Sequence, residues 1–403
     1  MSFRYVENEK SAKIKVIGVG GAGGNAVNNM IGANLTGVQF ITANTDSQAL
    51  EISKAPVKVQ IGGTLTEGLG AGAEPDVGKN AALESKKEIE EAIGNNVHMV
   101  FITAGFGGGT GTGAAPVIAE ICKELGILTV AVITKPFKFE GKKRMQKAEE
   151  GIRTLKDVTD TVITIPNDRL RGLASKNATL IEMFSQADEI LLHSVKGITD
   201  LIMLPGLVNL DFADVRTTMN RAGMAIMGIG RAGGENRAIE AAEKAISHPL
   251  LEDISIANAK GVLMNISSTS SLTMQEMSEA SDRIYKEVGD KADIIWGAVM
   301  DETMGDEVSV TVIATGINSG FDNEDYQKSD KVKPILSAGQ RTEKPEAEHY
   351  KKSEGEQETP AYIRKLKTSE NNQKSGYKGI YTQGEDINED ELDIPTFLRK
   401  KAD

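Results

Sequence analysis

The sequence predicts an α/β fold in which a Rossmann-type domain and a smaller α/β domain are joined by a long central helix. Three observations support this prediction. Short apolar segments rich in β-branched residues alternate with helical patterns, as in parallel sheets covered by helices. Glycine clusters follow two of the apolar segments directly. A long uninterrupted helical pattern, 180–203, separates the first series of alternating segments from a second one.

The first glycine cluster follows the predicted strand 13–20. Gly18 to Gly23 satisfies the G-x-G-x-x-G spacing, and we expect a helix to open near Asn25. Glycine at a strand-to-helix turn lets the backbone approach an anion, and the helix N-terminus offers unpaired N–H groups. Asp46 lies just beyond the next predicted strand, 39–43, near the distance expected of a ribose ligand. An NAD-dependent oxidoreductase is therefore one open alternative.

The second glycine cluster, Gly105 to Gly113, is richer and carries two threonines. It lies between the predicted strand 97–103 and the predicted helix 114–125. A tight turn alone would need only one or two residues with positive φ, so we predict that this segment binds phosphate through glycine amides and threonine hydroxyls. A third glycine turn, Gly68 to Glu74, favours a triphosphate over a dinucleotide. The P-loop spacing is absent, so phosphate charge should be neutralised by backbone amides, helix dipoles and a bound cation.

The remaining pattern completes both domains. In the first, strands are expected at 127–133 and 161–165 and a helix at about 142–155. The second is expected to contain strands at 224–229, 261–266, 293–300 and 308–315 and helices at 235–247 and 273–288. Trp296 is predicted to lie in its core.

Composition excludes several functions. The formal net charge is −12 and no stretch is strongly basic, which argues against nucleic acid as a partner. No apolar run approaches the length of a membrane span, and the first residues lack the features of a signal peptide, so direct membrane insertion is not expected. Cys122, the single cysteine, is expected to be an inert core thiol. The four histidines lack metal-ligand spacing, so no protein metal site is predicted.

At this point the sequence resembles the bacterial FtsZ family of tubulin-like division GTPases. Gly107 to Gly113 matches the tubulin/FtsZ signature, and the segments 20–25, 44–46 and 209–214 stand in the family's order. The resemblance covers about residues 12–317 and the final dozen residues. It implies a tubulin-like fold, GTP or GDP as the nucleotide, Mg²⁺ as its cation, and head-to-tail assembly into filaments.

By this resemblance, residues 21–25 and 108–110 hold the phosphates, Glu140 and Arg144 contact sugar and phosphate, and Asp188 faces guanine. A carboxylate accepts the N–H donors of guanine, whereas adenine presents an acceptor on the same edge. On the residues alone, an ordinary surface charge is the favoured interpretation of both Asp188 and Arg144. The full set implied to contact the nucleotide is Gly21, Ala22, Gly23, Gly24, Asn25, Asn44, Thr45, Gly72, Ala73, Gly105, Gly108, Gly109, Thr110, Gly111, Thr112, Glu140, Arg144, Asn167, Phe184 and Asp188.

Catalysis is assigned by the resemblance to Asn209, Asp211 and Asp214. The alternative is that Asp211 is an N-cap and Asp214 a first-turn acid of a short helix near 215–219. The loop follows a helix roughly 40 Å long at 1.5 Å per residue, so it should not reach the phosphate site of its own chain. The resemblance implies that the active site is completed between adjacent subunits.

Six regions are expected: a flexible arm at 1–11, the GTP-binding domain at 12–177, the central helix and catalytic loop at 178–221, the second domain at 222–317, a disordered linker at 318–388 and a partner-binding peptide at 389–403. In the last region, apolar residues reappear after a polar tract. The resemblance implies that they bind membrane-tethering and regulatory division proteins, at a mid-cell ring in the cytoplasm beneath the inner membrane. These residues are Leu392, Ile394, Pro395, Phe397 and Leu398. A non-hydrolysing nucleotide-binding scaffold is the third hypothesis.

Overall fold

The computed structural model describes residues 12–173, 177–204, 206–208, 210–220, 223–251, 256–289 and 292–317, without the side chains of Leu207 and Asn258. The predicted arm at 1–11, the linker at 318–388 and the peptide at 389–403 lie outside these ranges. The strands of the described part are β1 (Ile14–Val19), β2 (Val38–Asn44), β3 (Val57–Gln60), β4 (Met99–Gly105), β5 (Leu128–Lys135), β6 (Thr161–Pro166), β7 (Gly206–Val208), β8 (Gly223–Gly233), β9 (Gly261–Ser268), β10 (Asp293–Met300) and β11 (Glu307–Ile317).

The described helices lie on both sides of these strands and include three short ones of four or five residues. They are α1 (Gly20–Gly32), α2 (Ser47–Glu51), α3 (Gly63–Thr66), α4 (Pro75–Glu84), α5 (Lys86–Ile93), α6 (Thr110–Glu124), α7 (Lys142–Val158), α8 (Asn167–Leu170), α9 (Leu180–Met203), α10 (Phe212–Met219), α11 (Arg237–Ile246) and α12 (Met274–Val288). Single 3₁₀ turns occur at Lys138–Glu140, Pro249–Leu251, Ile256–Asn258 and Glu302–Met304.

All eleven strands form one sheet in the order β3-β2-β1-β4-β5-β6-β8-β11-β9-β10-β7. The first six strands are parallel, with Ile14 opposite both Val38 and Met99. Strand β11 is antiparallel to β8 and to β9. The predicted α/β class with a parallel-rich first half is confirmed.

The two halves of the sheet meet at β6 and β8, which pair in parallel from Thr161 opposite Gly223 to Ile163 opposite Ala225. The sequence analysis joined the halves only through the long helix. Backbone hydrogen bonds also join them, because β8 continues the sheet of the first half.

The long helix α9 packs against both halves, as its apolar residues on more than one face predicted. Its buried residues include Met183, Leu191 and Leu201. A capping box between Thr179 and Glu182 defines its first turn. Near its other end, Asn265 of β9 donates its side-chain amide to the carbonyl of Gly197 at 3.1 Å.

Two helix starts differ from the prediction. Helix α1 begins at Gly20 rather than near Asn25, and α6 begins at Thr110 rather than at Ala114. The last glycines of each cluster therefore belong to the first helical turn, while Gly107 to Gly109 form the loop that precedes α6. Glycine has a low helix propensity, which hid these turns from sequence analysis.

Two core predictions have different outcomes. Cys122 is fully buried, and burial raises the pKa of its thiol to about 12, which confirms an inert core residue. Trp296 is only partly buried and packs against the core of the second half rather than inside it. Within the described ranges, no helix has the length and apolar character needed to cross a membrane.

Candidate functional site

A cavity of about 270 Å³ lies at the carboxyl edge of the first half of the sheet. Parallel strands end at the same edge, so the loops after β1, β4, β5 and β6 meet there. The cavity is lined by Val19, Gly20, Gly21, Ala22, Gly105, Phe106, Gly108, Gly109, Thr110, Gly111, Thr134, Pro136, Glu140, Arg144, Asn167, Phe184, Ala187 and Asp188.

Two helix N-termini form one end of this cavity. Helix α1 starts at Gly20 and α6 at Thr110, and no side chain caps either start. Their first backbone N–H groups therefore keep their hydrogen-bonding capacity and partial positive charge for an anion. The hydroxyl of Thr110 is hydrogen-bonded to that of Thr45 at 2.7 Å, which fixes its position beside the α6 N-terminus.

Neighbouring glycines of the second cluster have different roles. A methyl group on Gly109 would lie 2.8 Å from Cβ of Ala71 and 2.9 Å from the amide nitrogen of Glu74. On Gly108 it would meet only the guanidinium of Arg144, at 4.0 Å. Gly109 is therefore required for packing against the turn at 71–74, whereas Gly108 is open to the cavity.

Eight of the residues that the family resemblance implied to contact the nucleotide do not line the cavity. Several of them form hydrogen bonds within the loops next to the cavity. Thr112 is buried and its hydroxyl accepts a hydrogen bond from the Gly107 amide at 2.8 Å. The side-chain oxygen of Asn44 accepts from the Asp46 amide at 3.3 Å. The eight residues are Gly23, Gly24, Asn25, Asn44, Thr45, Gly72, Ala73 and Thr112.

Six lining residues were missed by sequence analysis: Val19, Gly20, Phe106, Thr134, Pro136 and Ala187. Gly20 and Phe106 lie inside the glycine clusters and could have been chosen on position alone. Thr134 lies near the end of β5 and Pro136 directly follows the strand, and nothing in their local sequence distinguishes them. Their place follows from the pairing of β5 with β4.

The other end of the cavity is formed by α9 and aromatic side chains. Phe184 packs edge-on against Phe137 with ring centroids 5.5 Å apart. Asp188 lies one turn further along α9, and its Oδ2 accepts a hydrogen bond from the side-chain amide of Asn29 at 3.2 Å. Burial raises the pKa of the Asp188 carboxyl to about 7.

Glu140 and Arg144 lie on the cavity wall between these two ends. Arg144 donates to Glu140 Oε2 at 2.6 Å, and the other oxygen of Glu140 accepts from the Phe137 amide at 2.8 Å. The carboxylate is nearly covered while the guanidinium is half exposed. The pair therefore holds a cationic group at the cavity without burying it.

The polar groups of the cavity fit a guanine nucleotide. The Asn167 side-chain oxygen is buried without a hydrogen-bond partner among the described residues, and the Asp188 carboxylate has one donor only. Unsatisfied acceptors at one end suit N–H donors, and helix N-termini at the other suit phosphates. No group of three or more His, Cys, Asp or Glu capable of holding a metal occurs in the described part of the chain.

Asp46 does not support a dinucleotide site. It occupies the N-cap of α2, where its carboxylate accepts hydrogen bonds from the amides of Gln48 and Ala49 at 2.9 and 3.3 Å. An acid engaged in this way is not free to bind a ribose.

The implied catalytic acids lie at the opposite edge of the sheet. Phe212 of α10 packs edge-on against His98, at 5.9 Å, and Arg216 donates to the carbonyl of Gly126 at 3.4 Å. His98 directly precedes β4, and Gly126 lies two residues before β5. Because β4 has seven residues, this edge is about 20 Å from the cavity at 3.3 Å per residue.

Asp211 and Asp214 are both exposed at the start of α10. Asp211 occupies the N-cap position, yet its carboxylate makes no capping hydrogen bond. Asp211 and Asp214 thus have the predicted N-cap and first-turn positions, and Asp214 suits the helix dipole, but the carboxylate of Asp211 is not used in capping. Asn209 lies outside the described residues.

Comparison with known proteins identifies the family. The profile of the Tubulin/FtsZ family GTPase domain matches residues 13–175, and that of the FtsZ family C-terminal domain matches residues 223–318. Cell division protein FtsZ of Azotobacter vinelandii is 46% identical over 405 residues, which cover 100% of both chains. The chain belongs to the FtsZ family. Cell division protein FtsZ of Coxiella burnetii is 54% identical over 310 residues, 77% of this chain and 80% of that protein.

Solved structures support the same assignment. An FtsZ dimer from M. jannaschii superposes with a TM-score of 0.73 at 46% identity, covering 76% of this chain and 89% of that one. CetZ2 from Haloferax volcanii shares the fold with a TM-score of 0.65 at 20% identity, over 76% of this chain and 93% of that one. This FtsZ-family chain is a cell division GTPase that binds guanine nucleotide and self-associates into filaments. The alternative hypotheses of an NAD-dependent oxidoreductase and of a non-hydrolysing nucleotide-binding scaffold are therefore wrong.

Proposed function

We propose that the chain hydrolyses GTP in the cavity at the carboxyl edge of the sheet, and that Asp211 and Asp214 of an adjacent subunit complete the active site. The observation that supports this most directly is the separation of the cavity from α10 by the whole length of β4. A chain with the binding half at one edge and the catalytic half at the other needs a second copy.

The cavity gives the nucleotide one orientation. Phosphates would bind the N–H groups that start α1 and α6, beside Gly21 and Gly108. Guanine would lie beside Phe184, with its N–H donors toward Asp188 and Asn167. Glu140 and Arg144 would contact sugar and phosphate between these ends.

Stacking of subunits in one direction would bring α10 of one chain over the cavity of the next. Such a contact uses different surfaces on the two partners, so it does not close on itself and continues as an open filament. Every internal subunit then both holds a nucleotide and acts on its neighbour's.

In this arrangement Asp211 and Asp214 accept hydrogen bonds from water and orient it toward the γ-phosphate. Both carboxylates are exposed and Asp211 is not engaged in capping, so both are available to a neighbour. Asn209 would help to position the same water. Mg²⁺ carried by the phosphates supplies neutralisation of their charge, and the remaining catalysis is positioning.

We further propose that the peptide at 389–403 binds membrane-tethering and regulatory division proteins and that the linker at 318–388 lets it reach them. The clustering of Leu392, Ile394, Phe397 and Leu398 after a polar tract supports this assignment. The filaments would then form the mid-cell ring beneath the inner membrane.

Mixing two inactive variants tests the shared site. Asp214→Ala should bind GTP but release phosphate about 10²-fold more slowly, because the water-orienting acid is lost. Gly108→Asp should bind no GTP, since it places a negative charge in the open part of the cavity without a steric conflict. In a mixed filament, some interfaces bring Asp211 and Asp214 of a Gly108→Asp subunit to the GTP-filled cavity of an Asp214→Ala subunit. Phosphate release should therefore partly return.

Co-sedimentation of a tagged subunit checks that the two variants assemble together. Glu91→Ala, which removes an exposed acid of α5, should behave as the unmodified chain in every mixture. Co-assembly without recovered phosphate release would reject the shared active site.

A further inference from the structure

One hydrogen bond at the base end of the cavity is not explained by the roles given above. The Asn29 side-chain nitrogen donates to Asp188 Oδ2 at 3.2 Å, and it is the sole hydrogen-bond donor to that carboxylate in the described part of the chain. Asn29 does not line the cavity. It lies on α1, the helix whose N-terminus faces the phosphate end.

We propose that Asn29 is a specificity-determining residue, whose amide orients Asp188 and keeps both carboxylate oxygens as acceptors, so that the site takes guanine and rejects adenine. This inference rests on the proposed placement of guanine beside Asp188. Asn29 acts through Asp188 and is therefore a positioning residue.

The two states of Asp188 recognise different bases. An ionised carboxylate offers two acceptors, which match the N1–H and N2–H donors of guanine. A protonated carboxyl offers one donor and one acceptor, which match the N1 acceptor and N6 donor of adenine. The protonation state therefore determines which base fits, and a donor fixed on Oδ2 favours the ionised state.

The charged residues near Asp188 do not stabilise its ionised form, which leaves this role to Asn29. Burial raises the pKa of Asp188 to about 7. Helix α1 carries no charged residue, and the carboxylate of Glu189 on α9 is hydrogen-bonded to the imidazole ring of His193 at 3.4 Å. The cavity's one guanidinium, Arg144, is paired with Glu140 at 2.6 Å.

The other elements packed around α9 place little positive charge near the carboxylate of Asp188. On α8, Asp168 accepts from the Lys138 amide at 3.2 Å and Arg169 has contacts of its own. At the end of β5, burial lowers the pKa of Lys135, while the charge of Glu149 acts in the opposite direction. Lys196 on α9 is bonded to Asp200 at 2.8 Å, about two turns beyond Asp188.

The test measures the affinities of the full chain for GTP and ATP, by equilibrium fluorescence below the assembly concentration, between pH 6 and 8.5. The unmodified chain should lose GTP affinity as pH falls through 7, because protonation removes an acceptor. Asn29→Leu should move this midpoint to higher pH and lower the GTP-to-ATP affinity ratio at pH 7 about fivefold. Asn29→Asp should lower the GTP-to-ATP affinity ratio further, because a second negative charge opposes ionisation of Asp188.

Two variants separate the donor from structural effects. Asn29→Gln keeps an amide donor and should restore part of the ratio. Asn28→Asp adds a charge at the neighbouring position, where the side-chain oxygen accepts from the Lys54 amide at 2.7 Å, and should leave the midpoint unchanged. The carboxyl carbon resonance of Asp188 in the nucleotide-free protein gives an independent readout, and its titration midpoint should be higher in Asn29→Leu.

The outcomes distinguish this inference from the proposed function. If Asp188→Ala leaves GTP affinity unchanged, the placement of guanine is wrong. If Asp188→Ala weakens GTP binding while Asn29→Leu and Asn29→Asp match the unmodified chain in midpoint and ratio, Asn29 has no role in specificity. Equal effects of Asn29→Leu and Asn28→Asp would likewise overturn it.

Discussion

Gly108 and Gly109 are adjacent, carry the same side chain and face different surroundings. The α-hydrogen of Gly109 that a methyl would replace points at the backbone of Ala71 and Glu74, while that of Gly108 points into the open cavity. Sequence analysis assigned both to phosphate binding. At the residue scale, the stability of the fold requires Gly109, whereas access of the ligand to the cavity requires Gly108.

This difference predicts opposite outcomes for two alanine variants. Gly109→Ala should destabilise the fold by about 1–3 kcal/mol, because the methyl overlaps backbone that cannot move easily. Gly108→Ala should keep the stability of the unmodified chain and weaken GTP binding, since its methyl occupies space near the phosphates. Chemical denaturation and GTP titration of both variants check this. Equal stability of the two variants would contradict it.

Gly23 illustrates a third role at the same scale. A side chain there would overlap the carbonyl of Thr103 on β4 and the backbone of Gly18 on β1. Its absence lets α1 lie close to the strands it covers. The third glycine of the G-x-G-x-x-G spacing is thus a packing position, and it does not line the cavity.

At the scale of an element, α7 starts with charges that oppose its own dipole. Its first turn contains Lys142, Lys143 and Arg144 and no acidic residue. Cations near a helix N-terminus are unfavourable by about 0.3–1 kcal/mol each at exposed sites. Arg144 lines the nucleotide cavity, and the two exposed lysines lie directly before it. We infer that the two lysines attract the triphosphate of GTP to the cavity at a small cost in helix stability.

Replacing both lysines, as Lys142→Glu with Lys143→Glu, should therefore raise thermal stability and slow GTP association. The slower association should be most evident at low salt, since steering between charges is screened as ionic strength rises. Stopped-flow fluorescence at two salt concentrations and thermal denaturation measure the two effects.

A first-turn lysine of another helix provides the control. Lys87→Glu in α5, away from the cavity lining, should raise stability without changing the rate of GTP association. An unchanged association rate in the double variant would show that the lysines do not attract the nucleotide.

At the scale of the whole molecule, one sheet separates binding from catalysis. The cavity lies at the carboxyl ends of β1, β4 and β5, and α10 lies at their other ends. Met203, at the end of α9, packs beside Gly37 just before β2, which places this helix terminus at the same edge as α10. Helix α9 therefore runs from the base end of the cavity to the edge that carries the acids.

The final segment of the chain is predicted to be separate from this machinery. Deleting residues 391–403 should leave GTP hydrolysis and assembly nearly unchanged, because the cavity and α10 both lie within residues 12–220. It should abolish recruitment to membrane-tethering partners, measured as filament binding to bilayers that carry the tether. Deleting linker residues 340–352, a segment of equal length, should change neither the GTP hydrolysis and assembly of the chain nor its recruitment to the tether. A truncated chain that no longer assembles would show that the segment contributes to the filament itself.

Local sequence was sufficient for most elements and for the class of ligand. Apolar runs of β-branched residues predicted the strands, and the spacing of glycines predicted an anion site where strands meet helices. The long helix was evident from its uninterrupted pattern, including its burial against two halves. These features depend on residues within a few positions of each other, which is the range that periodicity and turn chemistry report.

Only the tertiary structure determined how these parts are related in space. It showed that β6 pairs with β8 to make one sheet, that α1 and α6 start at the glycines, and that Asn29 reaches Asp188. It also placed α10 at the edge away from the cavity, against His98 and Gly126. These relations join residues up to 159 positions apart and depend on strand order and register. The length of the long helix already predicted that the loop at 209–214 does not reach the phosphate site of its own chain. Residue spacing carries no information about which distant strands pair, so the edge of the sheet at which each half-site lies became visible only in the folded molecule.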